Sequence, residues 1–238
     1  MPEFLRLHLA GPLCAYGGEA VDAAGVIADF PAASMLTGLI ANALGWQRHH
    51  RAALAALQAR LHYAARIDHE GTRLTDFQTA KIGAADRGWT TRGAPEGRAG
   101  GAATYNSPHI RRRDHDADKT VIVALRLDEP GEEPTLADIA AALDEPARPL
   151  FLGRKPCLPT ARINAGLVTA ADLVEALASL PPPGNAKPRI LLPHSEPARP
   201  GDETIQWSDQ RNWHSGVHGG TRTVIIRRLA AQNPGGSA

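Results

Sequence analysis

Residues 119–143, KTVIVALRLDEPGEEPTLADIAAAL, hold a strand and a helix separated by a Pro- and Gly-containing turn. Val121, Val123, Leu125 and Leu127 alternate along the first part and make the clearest strand in the chain. Thr135 and Asp138 then form a capping-box pattern. Leu136, Ile139, Ala140 and Leu143 supply the buried face of the helix that follows. This pair makes sense only as the second half of a larger α+β unit, so its first half must lie upstream.

Upstream, Leu5, Leu7 and Leu9 alternate with Arg6 and His8, a half-buried strand that ends at Gly11-Pro12. In FPAASMLTGLIANALGW, residues 30–46, Leu36, Leu39, Ile40, Ala43 and Leu44 fall at helical spacing. Pro31 suits the first turn of that helix and Gly45 its C-cap. Arg51 to Arg60 reads as a second, short helix with Leu54 and Leu57 on one face. LHYAARID, from Leu61, alternates again, and TRLTDFQT is expected to pair next through Glu70-Gly71. Periodicity is lost after Gly83, and the following stretch reads as a long excursion from the core. Downstream, Leu150 to Leu152 of LFLGRKPCLP is expected to be the last core strand. With the excursion set aside, the order is the βαββαβ unit of ferredoxin-like and RRM-type domains. Beyond Pro159 a capped helix, TAADLVEAL, and strands RILLPH and TRTVIIRRL form a smaller region, and the end of the chain reads as a tail.

The 238 residues suffice for one large domain or two small ones. With 26 Lys+Arg against 25 Asp+Glu, the net charge of +1 creates no global field, so any nucleic-acid site must be a local cluster. Cys14 and Cys157 match no metal spacing and fit a reduced, cytoplasmic protein. The start, MPEFLRLHLAGP, does not read as a secretory leader, and no apolar run approaches the ~20 residues needed to span a bilayer. No membrane association is expected. The histidines fall in no HExxH frame, and DHDAD, residues 114–118, lacks the glycine and distal glutamate of an EF-hand loop. It reads as a solvated acidic turn, and no metal or other cofactor is expected. Walker, GxGxxG and GxSxG frames are missing, which sets aside the corresponding nucleotide and serine-hydrolase chemistries.

Cationic clusters remain. Arg111, Arg112 and Arg113 close the excursion, Arg92 and Arg98 lie within it, and Lys81 and Arg87 stand near its start. Trp89 and Tyr105 are interleaved among them. Guanidinium groups take phosphates and rings stack on unpaired bases, so the pattern suits single-stranded RNA. An ordinary solvated hairpin fits the same residues equally well. Gly153, Arg154 and Lys155 add a second basic element, in which glycine lets backbone amides approach an anion and the neighbours supply charge. Two such elements on one βαββαβ unit favour RNA over either alone.

The segments LRLHLAGPL with AYGG, then FPAASMLTGLIANALGW, DFQTAKIG, Arg111 separated by four residues from DADKTVIVAL, and LFLGRKPCLPT occur here in that order. This series resembles the CasD family, the small RAMP-superfamily subunit of the type I-E CRISPR surveillance complex, Cascade. The likeness is good over the first two-thirds and weaker in SDQRNWHSGVHGGTRTVIIRR. It implies a ferredoxin-like RAMP domain over residues 1–159, a β-hairpin thumb inserted at about 75–118, and a small C-terminal β-rich domain over 160–238. It also implies a non-catalytic role, capping the 5′ handle of the guide RNA (crRNA). The implied partners are the backbone subunit, reached by the thumb, and the large subunit, with target DNA met only through the complex.

Carried over by residue, Tyr16 and Gly17 match the family's aromatic-glycine turn, Arg111 its arginine before the third core strand, and Gly153, Arg154 and Lys155 its basic loop. Lys81, Arg112 and Arg113 join them as RNA-binding candidates. Arg87, Trp89, Arg92, Arg98 and Tyr105 are candidate thumb and partner contacts. The chain departs from the family at three points. VDAAGVIADFP, residues 21–31, lacks an arginine, Arg113-Asp114 replaces a tyrosine-leucine pair, and Gln78 stands where histidine is common. Two alternatives stand beside this reading. One is a metal-independent endoribonuclease drawing on His109 or His115, Tyr16 and Lys119 as acid, base and cation. The other is a structural adaptor whose excursion docks a protein.

Overall fold

In the computed structural model, which describes residues 1–17, 24–80, 88–89, 95–96, 109–182 and 188–228, the run from Thr120 to Leu127 is a strand buried on both faces. The chain opens with β1 (Glu3–Ala10), β2 (Leu13–Cys14) and β3 (Ala24–Gly25), followed by helices α1 (Ala33–Ala43) and α2 (Arg51–Arg60). Next come β4 (Leu61–His69), β5 (Thr72–Ala80) and two short strands paired with each other, β6 (Gly88–Trp89) and β7 (Pro95–Glu96). β8 (His109–Ala117) and β9 (Thr120–Leu127) lead to α3 (Leu136–Asp144). The last part contains β10 (Asn164–Thr169), α4 (Leu173–Ala178), β11 (Arg189–Pro193), β12 (Glu203–Ser208) and β13 (Thr221–Arg228).

The fold is α+β. Seven strands form one antiparallel sheet in the order β10-β1-β9-β4-β11-β13-β12. Its register sets Leu7 beside Val123 and Val123 beside Ala65, so one layer of apolar side chains runs across the middle strands. Leu5, Leu7, Leu9, Tyr63, Val121, Val123 and Leu125 face a core shared with α1, α2 and α3. Phe4, Ala64, Ile122 and Ala124 face a second core completed by Leu173 and Leu177 of α4. A strand covered on both sides has no reason to alternate with polar residues, which explains the unbroken apolar run in β9.

Helix boundaries follow local chemistry. The capping box of α3 is made: Asp138 N–H donates to Thr135 Oγ1 at 3.2 Å and Thr135 N–H donates to Asp138 Oδ2 at 2.8 Å. α1 ends in a Schellman arrangement, with Gly45 at φ +78°, its N–H on Asn42 O and the Trp46 N–H on Ala41 O. The start of α1 has no side-chain cap of its own, because Ala32 stands at the N-cap. Asp209 takes its place from far along the chain. Its Oδ2 accepts from Ala33 N–H at 3.1 Å and its carbonyl accepts from Ser34 N–H at 3.0 Å. The same carboxylate, only 2% exposed, pairs with Arg222 at 2.8 Å and with the Tyr63 hydroxyl at 3.0 Å.

Three expectations need correction. Leu150 to Leu152 is not a strand: Leu152 donates its N–H to Cys157 O and accepts from Ala15 N–H, a closed loop whose apolar residues plug the core. The place beside β1 belongs to β10 instead. β5 pairs with β8 and not with β4, whose free edge is taken by β11, so β5 and β8 stand as an arm outside the main sheet. Residues 114–118 are not a solvated turn either: Asp116 is buried between Lys119 and Arg73, each at 2.7 Å. Strands on both sides of residue 159 take part in the seven-stranded sheet. A patterned apolar triplet is compatible with a strand or a plug, and only partners decide which.

Asp209→Ala leaves Arg222, the Tyr63 hydroxyl and the Ala33 amide without their carboxylate acceptor, so unfolding in urea should show a loss on the order of 3–5 kcal/mol. A loss under about 1 kcal/mol would mean that the network is dispensable.

Candidate nucleic-acid interface

α1, the turn after it, residues 148–158 and residues 211–218 enclose an open groove of about 1260 Å³. Arg48, Arg51, Arg148, Arg154, Lys155 and Arg211 line it, together with Trp46, Phe151 and Trp213. Among the described residues no carboxylate lines it. Arg148 is held at the C-terminal end of α1, donating to Asn42 Oδ1 at 2.9 Å and to the Trp46 carbonyl, where the helix dipole favours a cation. Arg51, by contrast, opens α2, which has no acidic residue in its first turn and no side-chain cap. A cation at a helix N-terminus adds to the positive end of the dipole, an arrangement that serves an anion better than it serves the helix.

The basic loop at 153–155 is fixed by contact with the turn after β2. Gly153 has φ +93°, and a Cβ there would lie 1.9 Å from the Ala15 carbonyl oxygen. Its lack of a side chain therefore allows a close approach of two backbones, not of a backbone to an anion. Arg154 then reaches across to the arm: Nη1 donates to Asp114 O at 2.7 Å and Nη2 to Gly25 O at 2.8 Å. Gly25 pairs with Arg113 in the β3–β8 ladder, and a Cβ on Gly25 would lie 2.9 Å from both the Arg113 and Arg154 guanidinium groups. Burial, then the nearby Arg113 charge, lowers the pKa of Arg154 from the ordinary arginine value. Among the described residues neither cation forms an ion pair, although the Asp114 carboxylate lies near enough to act on Arg154.

The expected site residues divide sharply. Arg113 and Arg154 meet at Gly25, and Lys155 is exposed on the groove. Arg111 and Arg113 share one face of β8, while Arg112 lies on the other, opposite the exposed Phe77. Gly17 lines the groove and bridges to Ile27. Tyr16 is fully buried, in the core with Phe30 and Leu36, so its ring positions the turn and reaches no solvent. Burial also pushes its hydroxyl well above the ordinary tyrosine range. Lys81, Arg87, Arg92, Arg98 and Tyr105 lie outside the described residues, as does the side chain of Trp89, whose backbone forms part of β6. Lys119 and His115, candidates for acid–base roles, are buried, and the side chain of His109 is not among those described. Among the described residues no cluster of His, Cys, Asp and Glu suits a metal ion, and no helix is long and apolar enough to cross a membrane.

Sequence reasoning missed Gly25, Arg48, Arg51, Arg148, Arg211 and Trp213. Gly25 left a trace, a glycine inside the very loop that lacks an arginine. The cations left none, because they come from separate segments brought together only by folding.

The antiparallel α+β sheet thus stands beside a groove lined by cations and half-buried aromatic rings. The profile of the family described as "CRISPR-associated protein (Cas_Cas5)" matches residues 4–225, and the chain belongs to that family. It is 30% identical over 184 residues to the "CRISPR system Cascade subunit CasD" of Escherichia coli (strain K12), covering 77% of this chain and 80% of that one. Among solved structures it resembles a chain of a "CRISPR RNA-guided surveillance complex" at TM-score 0.64 and 20% identity, over 96% of this chain and 90% of that chain. A second likeness, to "Crystal structure of Cas protein", has TM-score 0.59 and 22% identity over 97% and 100% of the two chains. The resemblance to CasD drawn from the ordered segments is thereby established.

Gly153→Ala drives a methyl group into the Ala15 carbonyl at a positive φ, and should cost on the order of 1–3 kcal/mol in chemical denaturation. Gly17→Ala, where a Cβ would meet no atom within 4 Å, serves as the control and should be near neutral. Equal stability of the two variants would show that the close approach is not needed.

Proposed function

We propose that this chain is a non-catalytic RNA-binding subunit of a type I-E CRISPR Cascade complex, capping the 5′ handle of the crRNA in antiviral defence. The observation that carries the reading is the groove: six cations and three aromatic side chains with no carboxylate among the described lining residues. Phosphates seek the first, unpaired bases the second. The relative named as a Cascade subunit supports the assembly. The order β10-β1-β9-β4, with α1 and α3 as crossovers, is that expected for a ferredoxin-like RAMP domain. In this reading the β5–β8 arm is the base of the thumb and reaches the backbone subunit. Arg111, Arg113, Arg154 and Lys155 face the RNA, the large subunit docks beside them, and target DNA is met only through the complex. The protein works in the cytoplasm, with no cofactor. The endoribonuclease alternative draws on Tyr16, His115 and Lys119, and their burial weighs against it because a general acid or base must reach the reacting oxygen.

The assembled complex should bind single-stranded handle RNA with an affinity that falls steeply with salt, since each phosphate contact releases counterions. Arg111→Gln with Lys155→Gln, both at positions outside the core, should weaken capture about tenfold or more with an unchanged melting temperature. No RNA affinity in the complex would leave the adaptor reading, and cleavage of precursor RNA in EDTA by the isolated chain would establish the enzyme.

A further inference from the structure

We propose that Arg48 and Arg211, backed by Trp213, form a second phosphate-binding point in the groove and take an internucleotide phosphate of the RNA strand held there. This rests on the RNA reading and assigns the C-terminal segment a direct part in it.

Arg211 follows β12 and is positioned without any use of its charge. Its N–H donates to Gln58 Oε1 at 3.2 Å, its carbonyl accepts from Gln58 Nε2 at 3.1 Å, and Trp213 Nε1 donates to the same Gln58 Oε1 at 3.1 Å. One side chain of α2 thus clamps the backbone of Arg211 and the ring of Trp213 together. The guanidinium lies over that ring, 5.4 Å from its centroid. Its Nε is buried and has no hydrogen-bond partner. A buried donor left unpaired costs free energy, so the fold holds this side chain on the groove wall at a cost to its own stability. Arg48, exposed on the turn before α2, stands close enough to act on Arg211: burial first, then the Arg48 charge, lowers the Arg211 pKa from the ordinary arginine value. Among the described residues neither arginine forms an ion pair. Two like charges on the wall of a groove with no carboxylate among its described lining residues complement a small oxyanion. In the RNA reading that anion is a phosphodiester, and the indole backing keeps the guanidinium edge turned to it.

The test uses the assembled complex and a labelled single-stranded oligoribonucleotide carrying the repeat-derived handle, titrated over a range of salt. Arg211→Gln should weaken binding about tenfold. It should also reduce the slope of log K against log salt by about 0.7. Its melting temperature should be unchanged, because the Gln58 clamp grips backbone and indole only. Arg211→Lys should keep the salt slope. If Arg211→Gln lowers the melting temperature, Arg48→Gln replaces it, since that side chain is exposed, and should reduce affinity and slope in the same direction. Wild-type affinity and slope in the folded variant, with Arg111→Gln/Lys155→Gln still weakened, would overturn this proposal and leave the RNA reading intact. Equal loss of affinity and slope in Arg211→Lys and Arg211→Gln would assign Arg211 to packing and overturn it too. No RNA binding by the wild type would remove both.

Discussion

The buried carboxylate of Asp209 holds the molecule in the form described. It sits just after β12, yet two of its partners belong to the first half of the chain, the Ala33 amide that opens α1 and the hydroxyl of Tyr63 in β4; the third, Arg222 from β13, also lies over the Tyr63 ring. Burial holds the Tyr63 phenol well above its ordinary pKa, so it remains a donor throughout the working range. A charge this deeply buried is tolerated only when every oxygen is satisfied. Satisfying it requires the C-terminal strands to close against β4 and α1. The groove is a consequence of that closure: α1 is one wall, and the segment immediately after Asp209 is another.

Net charge conceals this arrangement. Most carboxylates with resolved partners stand away from the groove: Asp29 and Glu70 with Arg189, Asp144 with Arg162, Asp202 with Arg227, Asp128 with His62 and Arg126. Buried Arg60 has no carboxylate at all and instead gathers the carbonyls of Asp128, Glu129, Glu132 and Glu133, tying the turn before α3 to the end of α2. A chain with a net charge of +1 can therefore present a locally positive groove, because no carboxylate is placed among its described lining residues.

What was legible in the sequence was local. β9, α1 and α3 announce themselves through periodicity and caps, since each needs only neighbours within a few residues to be recognised. LFL at 150–152 misleads because three apolar residues satisfy a strand and a core plug alike, while the true edge strand, NAGLVT, contains Gly166 at φ +89° and half-exposed positions that blur any alternation. The site was half legible. Arg154 and Lys155 were visible as a run, but Arg48, Arg148 and Arg211 come from separate segments, Arg148 brought to α1 by Asn42 and Trp46 and Arg211 to α2 by Gln58. Tyr16 shows the opposite failure, a residue in a suggestive position whose ring turns inward.

The way each arginine is held separates structure from function. Arg189, Arg222 and Arg227 meet carboxylates, which fix them and cancel their charge. Arg148 and Arg154 are oriented instead by neutral acceptors: the Asn42 amide oxygen and the carbonyls of Trp46, Asp114 and Gly25. Arg211 is placed through its backbone. A neutral acceptor aims a guanidinium without neutralising it, so the positive potential survives folding and the side-chain entropy is already lost before any ligand arrives. That is the arrangement a tight anion site requires, because affinity comes from what remains after ordering costs are met. It is a poor arrangement for stability alone, since arginines without an ion pair, such as Arg113 and Arg154, repel one another.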